Sequence, residues 1–522
     1  MGEQHLGIEV GYLIESVVAR SFQNAFDAII RDIPKEVFYT VLLCHTYMSD
    51  EFSLEEINST LLRLESEYNL LERQSDDVYY WERVRHSIHK KIIRKIQKVE
   101  KEQSENENSK RSRKIKRYTE ESTKALKNLF RKNPYLADQS EIIFYGKGRR
   151  RQLNDGTWYD MHLDPIAEML DETYTFIEPT GGPPQAPSKN RRFLKLPRFV
   201  GDVAQKLGYS YELPEEERDH LQKFESAVED ELGVSIDAIS RVERELSNRK
   251  LRLPMLNKIV QRIDPKICFM TYGHSHHSTF IEACHNQDVT VVDVQYCAVD
   301  PNYWPYHYPG DRQRRVKPDH LLLWGEFWKE AADLPFADNE LYISGFPYFE
   351  RRLKEYKDTK KKEQVLFVSN SKSGPHLSKL AAELAKTGVD KEIVYKLHGG
   401  EFETWQSNYP ELAEVADQGN VTVLDEVEGS LHKLLAESQV QVGVSSTALY
   451  EGLAFNLPTY ILNVPYSYEM QRVTEAGQAE LVDDVQALSS KIGSLDTITP
   501  DTDLFFKQGS QDQLDEVLSQ IL

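Results

Sequence analysis

The sequence predicts an α/β protein: two Rossmann-like doubly wound domains preceded by a mainly helical N-terminal module. Three observations carry this. From Glu141 onward, short apolar β-rich runs alternate with helical stretches, the pattern of a parallel sheet with helices on both faces. After residues 343–356 the alternation restarts and becomes cleaner, which makes two units of it. The length of 522 residues also exceeds one ordinary core, since a domain takes roughly 100–200 residues. The expected boundaries are a helical, winged-helix-like module over 1–100, a basic linker and helix over 101–140, a first α/β domain over 141–340, a second over 341–485 and a helical tail over 486–522.

Composition narrows the setting. Apolar residues make up 40% and charged residues 28%, so most of the chain can bury cores. Lys plus Arg is 64 against 84 Asp plus Glu, and a net charge of −20 opposes wholesale binding to nucleic acid. The four cysteines (Cys44, Cys268, Cys284, Cys297) contain no CxxC pair and read as thiols of a reducing compartment. The N-terminus has no basic stretch followed by an apolar run, and the apolar stretch from Val37 to Met48 is short and broken by His45. A cytoplasmic protein, peripheral at the inner face of the cell membrane, is the expectation.

In order along the chain, Pro34 opens a helix of about three turns, and Ser53 with Glu56 forms a capping box before a second. Ser75-Asp76-Asp77 turns a small hairpin. The next helix, from Trp81 to about Glu100, places Val84, Ile88, Ile92, Ile96 and Val99 on one face and Arg83, Arg85, Lys90, Lys91, Arg94, Lys95 and Lys98 on the other. Residues 83–132 hold 18 Lys/Arg against 6 Asp/Glu, or +12. A solvated basic helix, a surface for anionic lipid and a surface for an acidic neighbouring domain are the readings; DNA is disfavoured because no Arg/Asn/Gln cluster sits on an evident recognition helix. Residues 103–114 are a polar linker, and 181–197 a long Pro-rich loop. Strands are expected at 141–146, 174–178, 266–273, 289–296 and 320–325, with helices at 215–247, 254–263 and 278–286. The second domain should hold strands at 364–370, 392–398, 421–424, 440–444 and 458–462.

Ligands of open parallel sheets bind beyond the carboxyl ends of the strands. There the second domain carries Ser369, Asn370, Ser371, Ser373 and Gly374 after one strand, Lys396 and His398 on one side of the next, and Ser445-Ser446-Thr447 opening a helix, with Glu451 a turn further on. A cation, a hydroxyl-capped helix start and a carboxylate around one crevice suit a nucleoside diphosphate. A plain N-cap is the bland reading of Ser-Ser-Thr taken alone.

These motifs resemble the donor domain of GT-B glycosyltransferases, nearest to surface-polysaccharide transferases and CDP-glycerol glycerophosphotransferases. Such families carry a strand ending in Lys-x-His (here Lys396-Leu397-His398) and Ser-Ser-Thr-x-x-x-Glu followed by a Gly and a hydrophobic-Pro turn (here Ser445, Ser446, Thr447, Glu451, Gly452, Pro458). Likeness extends over about 141–480. The resemblance implies donor binding by Ser369, Ser371, Lys396, His398, Ser445, Ser446, Thr447 and Glu451, a nucleotide sugar and a glycan or lipid-linked acceptor as substrates, and no cofactor or metal. In one respect the sequence departs: where these families have Gln-His-Gly, with the His favoured as base, it reads Gln295-Tyr296-Cys297. A tyrosine takes no proton near neutral pH without a large shift. The substitute bases are His274, His276, His277, Asp300 and His307. The three clustered histidines also invite a metal, which adjacent His276 and His277 oppose. Arg149, Arg150 and Arg151 beside Asp160 and Asp164 are candidates for an acidic acceptor, or a solvated loop. The expected activity is sugar transfer; polyol-phosphate transfer, nucleotide-sugar epimerisation and a degenerate fold acting as sensor or regulator are the alternatives.

Overall fold

Apolar residues spaced three and four apart build the first elements of the computed structural model, which describes residues 52–96, 132–146, 150–153, 156–179, 191–194, 197, 200, 209–425, 431–464, 466–494 and 499–521. Helix α1 (Leu54–Glu67) buries Ile57, Leu61 and Leu64. A hairpin of β1 (Gln74–Ser75) and β2 (Val78–Tyr79) follows, with Asp76 and Asp77 both left-handed at its turn. Helix α2 (Trp81–Ile96) buries Val84, Ile88 and Ile92 as its periodicity predicts. Its basic side is partly an internal seam. Arg83 pairs with Glu282 at 2.7 Å and Arg85 with Glu65 at 2.6 Å, all but Glu282 fully buried. Arg85 also donates to the carbonyls of Trp304 and His307, at 2.7 and 2.9 Å. Helices α1 and α2 share one apolar core with α3 (Glu215–Leu232) and the first half of α4 (Ala238–Ile263).

The first sheet begins with β3 (Ile142–Tyr145), and a small hairpin, β4 (Arg151–Gln152) with β5 (Trp158–Tyr159), follows it. Then come β6 (Tyr174–Glu178), β7 (Arg191–Phe193), β8 (Ile267–Thr271), β9 (Thr290–Val294), β10 (His320–Leu323) and β11 (Leu341–Ile343). All seven sheet strands are parallel, in the order β11-β10-β9-β8-β3-β6-β7. Chain direction across the sheet reverses between β3 and β8. Helix α4 and α5 (Ser278–His285) cover one face.

After α6 (Pro347–Glu355) the second sheet forms from β12 (Gln364–Val368), β13 (Glu392–Lys396), β14 (Thr422–Leu424), β15 (Val440–Gly443), β16 (Thr459–Leu462) and β17 (Glu480–Val482). These strands too are all parallel, ordered β14-β13-β12-β15-β16-β17, the 3-2-1-4-5-6 sequence of a doubly wound sheet. Helices α7 (Gly374–Lys386), α8 (Pro410–Asp417), α9 (Leu431–Glu437), α10 (Thr447–Ala454) and α11 (Val485–Ser494) flank it. The last helix, α12 (Ser510–Ile521), returns to the first sheet and lays Leu514, Val517 and Leu518 against Phe144, Phe176 and Phe269. Between the sheets, Trp324, Trp328 and Phe346 pack with Leu366, Leu449, Leu453 and Phe505 in one core.

The structure departs from the expected elements in places with clear causes. Helix α3 stops at Gly233, left-handed at φ 65°, and Asp237 caps α4, which then runs through Pro254 without a break. Strands β7, β11 and β17 were not expected, each being only three residues long, too short for a periodic pattern to show. The helix expected after Pro34 and the linker 103–114 lie outside the described residues. Among the described residues, no helix is long and apolar enough to cross a membrane.

Candidate active site

The order of the second sheet puts its crevice between the ends of β12 and β15. Asn370, just past β12, spans that gap: its Nδ2 donates to the carbonyl of Ser445 at 2.6 Å and to its Oγ at 3.1 Å. Beside it, buried Glu401 organises three segments. It accepts from Ser369 Oγ (3.0 Å), Tyr409 OH (2.7 Å) and the backbone N–H of His398 (2.6 Å). Gly374 is required here, because a Cβ would overlap both Tyr409 and Glu401. Sequence reasoning missed Glu401; its one signal is its place three residues after the Lys-x-His strand.

His398 is exposed at the end of β13 and accepts the Gly400 N–H on Nδ1 at 3.1 Å. The neutral ring therefore carries its proton on Nε2, as a donor. Lys396 sits over the Phe402 ring at 4.9 Å, and its Nζ donates to the Leu397 carbonyl at 3.2 Å. Burial lowers its pKa, with Asp425 and Glu401 pulling the other way. Ser446 caps α10 by accepting the Ala448 N–H at 3.2 Å, and Thr447 is the first residue of that helix. Glu451 lies one turn in. His432 Nε2 is 3.3 Å from its Oε2, outside hydrogen-bond geometry, and that buried oxygen has no hydrogen bond among the described residues. Gly452 is small of necessity, since a Cβ would overlap the Gln441 amide, whose Nε2 donates to Leu449 O at 2.7 Å. Ser371 is exposed in the turn before α7, and Ser373 Oγ is buried there without a hydrogen bond among the described residues.

Across the crevice, the loop after β9 brings Asp300 to the second domain. Its carboxylate accepts the Asn302 N–H at 2.7 Å. Burial, reinforced by the like charge of Glu469 and opposed by Lys372, raises its pKa to about 6. Glu469 itself pairs with Lys372 at 3.0 Å, and the Lys372 N–H donates to Asn370 Oδ1 at 2.9 Å. Asp300 is thus linked to the crevice through Lys372 and Asn370.

The other expected residues divide. His274 Nε2 is hydrogen-bonded to Tyr303 OH and its Nδ1 to Ser275 Oγ, both at 3.1 Å. His277 is buried deeper, edge-on to Tyr145 at 5.2 Å. The side chain of His276 and all of Arg149 lie outside the described residues. His307 sits at the seam with the N-terminal helices, its Nδ1 3.4 Å from Asp333; burial lowers its pKa to about 4. Arg150 turns inward and pairs with Glu178, which also takes Arg191 at 2.6 Å; Arg191 reaches on to Asp164. Burial and then Arg191 lower the pKa of Arg150 to about 10, while burial raises that of Asp164 to about 6. Asp160 is buried and accepts the N–H groups of His162 and Leu163 at 3.0 and 3.1 Å. Arg151 is exposed on β4. Gln295 clasps two strand ends, accepting from Trp324 N at 2.9 Å and donating to Cys297 O at 3.0 Å. The Tyr296 ring packs against Tyr272 at 4.8 Å and against His162, a second residue that sequence reasoning missed, at 5.0 Å.

Residues 326–464 match the family described as "Putative glycosyltransferase (DUF6716)". No curated protein matches the chain. Similar solved structures include the UDP-GlcNAc 2-epimerase of Methanocaldococcus jannaschii, with 11% identity over 73% of this chain and 99% of that one and a TM-score of 0.45. The UDP-GlcNAc 2-epimerase of Neisseria meningitidis bound to UDP-GlcNAc has 13% identity over 73% and 99%, with a TM-score of 0.45. The wall teichoic acid polymerase TagF has 10% identity over 74% and 85%, with a TM-score of 0.36. The chain is an α/β protein of two Rossmann-like domains whose second domain carries the likeness to a glycosyltransferase family.

Proposed function

We propose that the protein transfers a sugar from a nucleotide-activated donor to a hydroxyl of a surface-glycan or lipid-linked acceptor. The observation that carries this reading is the tying together of three strand ends: Asn370 bonds Ser445, and Glu401 bonds Ser369 and the His398 N–H. On this reading the Nε2 proton of His398, the Lys396 ammonium, the start of α10 and Glu451, whose Oε2 has no hydrogen bond among the described residues, serve the donor. The first three favour the charge that grows on a leaving diphosphate as the glycosidic bond breaks. The Glu451 carboxylate suits ribose hydroxyls. Asp300, poised near pH 6 across the crevice, would take the proton of the attacking acceptor hydroxyl. That role replaces the histidine that the resembling families carry where this chain has Tyr296.

A thermal-shift series with UDP, GDP, CDP, TDP and CMP tests the donor site, because a ligand of the native state alone raises its stability. One nucleoside diphosphate should stand out, and its effect should vanish in Glu451→Ala. Product analysis with the matching nucleotide sugar separates sugar transfer from polyol-phosphate transfer and epimerisation. Tyr296 favours a second reading, a fold kept as a nucleotide-sugar sensor; nucleotide binding with no turnover would establish it.

A further inference from the structure

Two loops meet beyond the ends of β8 and β9, and they present rings instead of charges. Tyr272 and Tyr296 stand edge to face at 4.8 Å, and Tyr272 lies 4.4 Å from the His274 ring. His274 is held by the Tyr303 hydroxyl at 3.1 Å. The fifth ring comes from the N-terminal helices: His86 of α2 is 5.8 Å from both His274 and Tyr303. His274 is buried, and the other four are half-exposed. Tyr303 also donates its N–H to the carbonyl of Asp300 at 2.9 Å, so this group of rings adjoins the turn that carries Asp300.

The backbone beneath is built to hold the rings there. Tyr272 and Ser275 are both left-handed, at φ 68° and 54°. That conformation is unfavourable for a bulky side chain and persists only where the surroundings enforce it. Here they do. Gly273, between them, donates to buried Asp293 at 3.1 Å and accepts from buried Arg314, while Tyr306 donates to the same Asp293.

We propose that Tyr272, Tyr296, Tyr303, His274 and His86 form a platform for the pyranose ring of an uncharged acceptor sugar, with α2 supplying one wall. The proposal deepens the transferase reading and rests on it. Aromatic faces take the C–H face of a sugar, and here the partly exposed rings of Tyr272, Tyr296, Tyr303 and His86 would do so around the buried ring of His274. An anionic acceptor would want free cations, yet Arg150 and Arg191 are turned onto Glu178, and Arg314 is buried beneath the loop.

Saturation-transfer NMR on the full chain tests this with methyl β-glucoside, methyl β-galactoside, methyl N-acetyl-β-glucosaminide and glycerol 3-phosphate as probes, with and without UDP. At least one glycoside should receive saturation on its ring protons, and glycerol 3-phosphate none. Tyr272→Gly and His86→Ala should each abolish the signal. Glycine accepts the left-handed conformation, so Tyr272→Gly should still fold despite the lost ring contacts, which keeps the test valid even where His86→Ala folds poorly. Signal surviving Tyr272→Gly or a folded His86→Ala, transfer to glycerol 3-phosphate in place of the glycosides, or no glycoside signal from the wild type would each overturn the platform. Calorimetry with the five nucleotides on the same samples separates the two readings. Nucleotide binding without glycoside binding defeats the platform alone; glycoside binding without any nucleotide defeats the transferase reading and leaves the platform standing as a sugar site.

Discussion

The two sheets share one strand order and use it in opposite ways. In both, chain direction reverses at the centre, between β3 and β8 and between β12 and β15. Beside the first switch point the charges are closed on one another: Arg150, Glu178, Arg191 and Asp164 form a buried network. At the second, His398 is exposed, Lys396 is half-buried, and one oxygen of Glu451 has no hydrogen bond among the described residues. Topology supplies the same crevice twice; which one can receive a diphosphate depends on whether the polar groups at its rim already satisfy each other.

That contrast can be broken experimentally. The largest effect should come from Arg191→Met, which takes the guanidinium from Asp164 and leaves Glu178 with Arg150 alone, and should cost about 3–5 kcal/mol in urea unfolding. A loss of nucleotide affinity in the folded fraction, with little change in stability, would mean that the first network is open after all. Asp300→Asn should lower turnover by roughly 10²–10⁴-fold with nucleotide affinity kept. The sign of its pH dependence follows from the raised pKa: below about 6 the wild-type carboxyl is protonated and cannot act as base, so the rate falls with acid. The Asn variant should lose that limb in a kcat/KM profile. On the open side, Glu451→Ala should weaken donor binding by about 1.5–3 kcal/mol, as for a charged hydrogen bond, read as a rise in KM. His398→Ala should mainly lower kcat, because its partner gains charge only as the bond breaks. Smallest of all, Ser446→Ala should cost about 1 kcal/mol of stability, the worth of an N-cap, with nucleotide affinity nearly unchanged since the backbone N–H groups remain.

Much of this fold was legible because buried parallel strands are nearly continuous apolar runs; residues 142–145, 267–271, 290–294, 364–368 and 440–443 all announce themselves. Strand β7 did not. Arg191-Arg192-Phe193 is a strand because Arg191 has Glu178 and Asp164 to bind, a long-range cause that no local window contains. The same holds for Arg83 and Arg85: periodicity placed them on the polar side of α2, while their partners Glu282 and Glu65 come from other helices. At the candidate site, the strand ends and the resembling motifs named Lys396, His398, Ser446 and Glu451 as donor-binding residues. Asn370, although visible after its strand, shows its bridging role only once β15 is placed beside β12. Glu401, which serves segments on both sides of it, had only its place three residues after the Lys-x-His strand to mark it.

Helix α12 has a consequence for how the protein is made. On the ribosome, the strands of the first sheet emerge well before Ser510–Ile521, whose Leu514, Val517 and Leu518 close over Phe144, Phe176 and Phe269. Until translation reaches them, one apolar side of that early sheet is bare, and the nascent chain carries a sticky surface through the synthesis of the entire second domain. Synthesis of α12, not completion of the first sheet, is the moment at which that surface is covered.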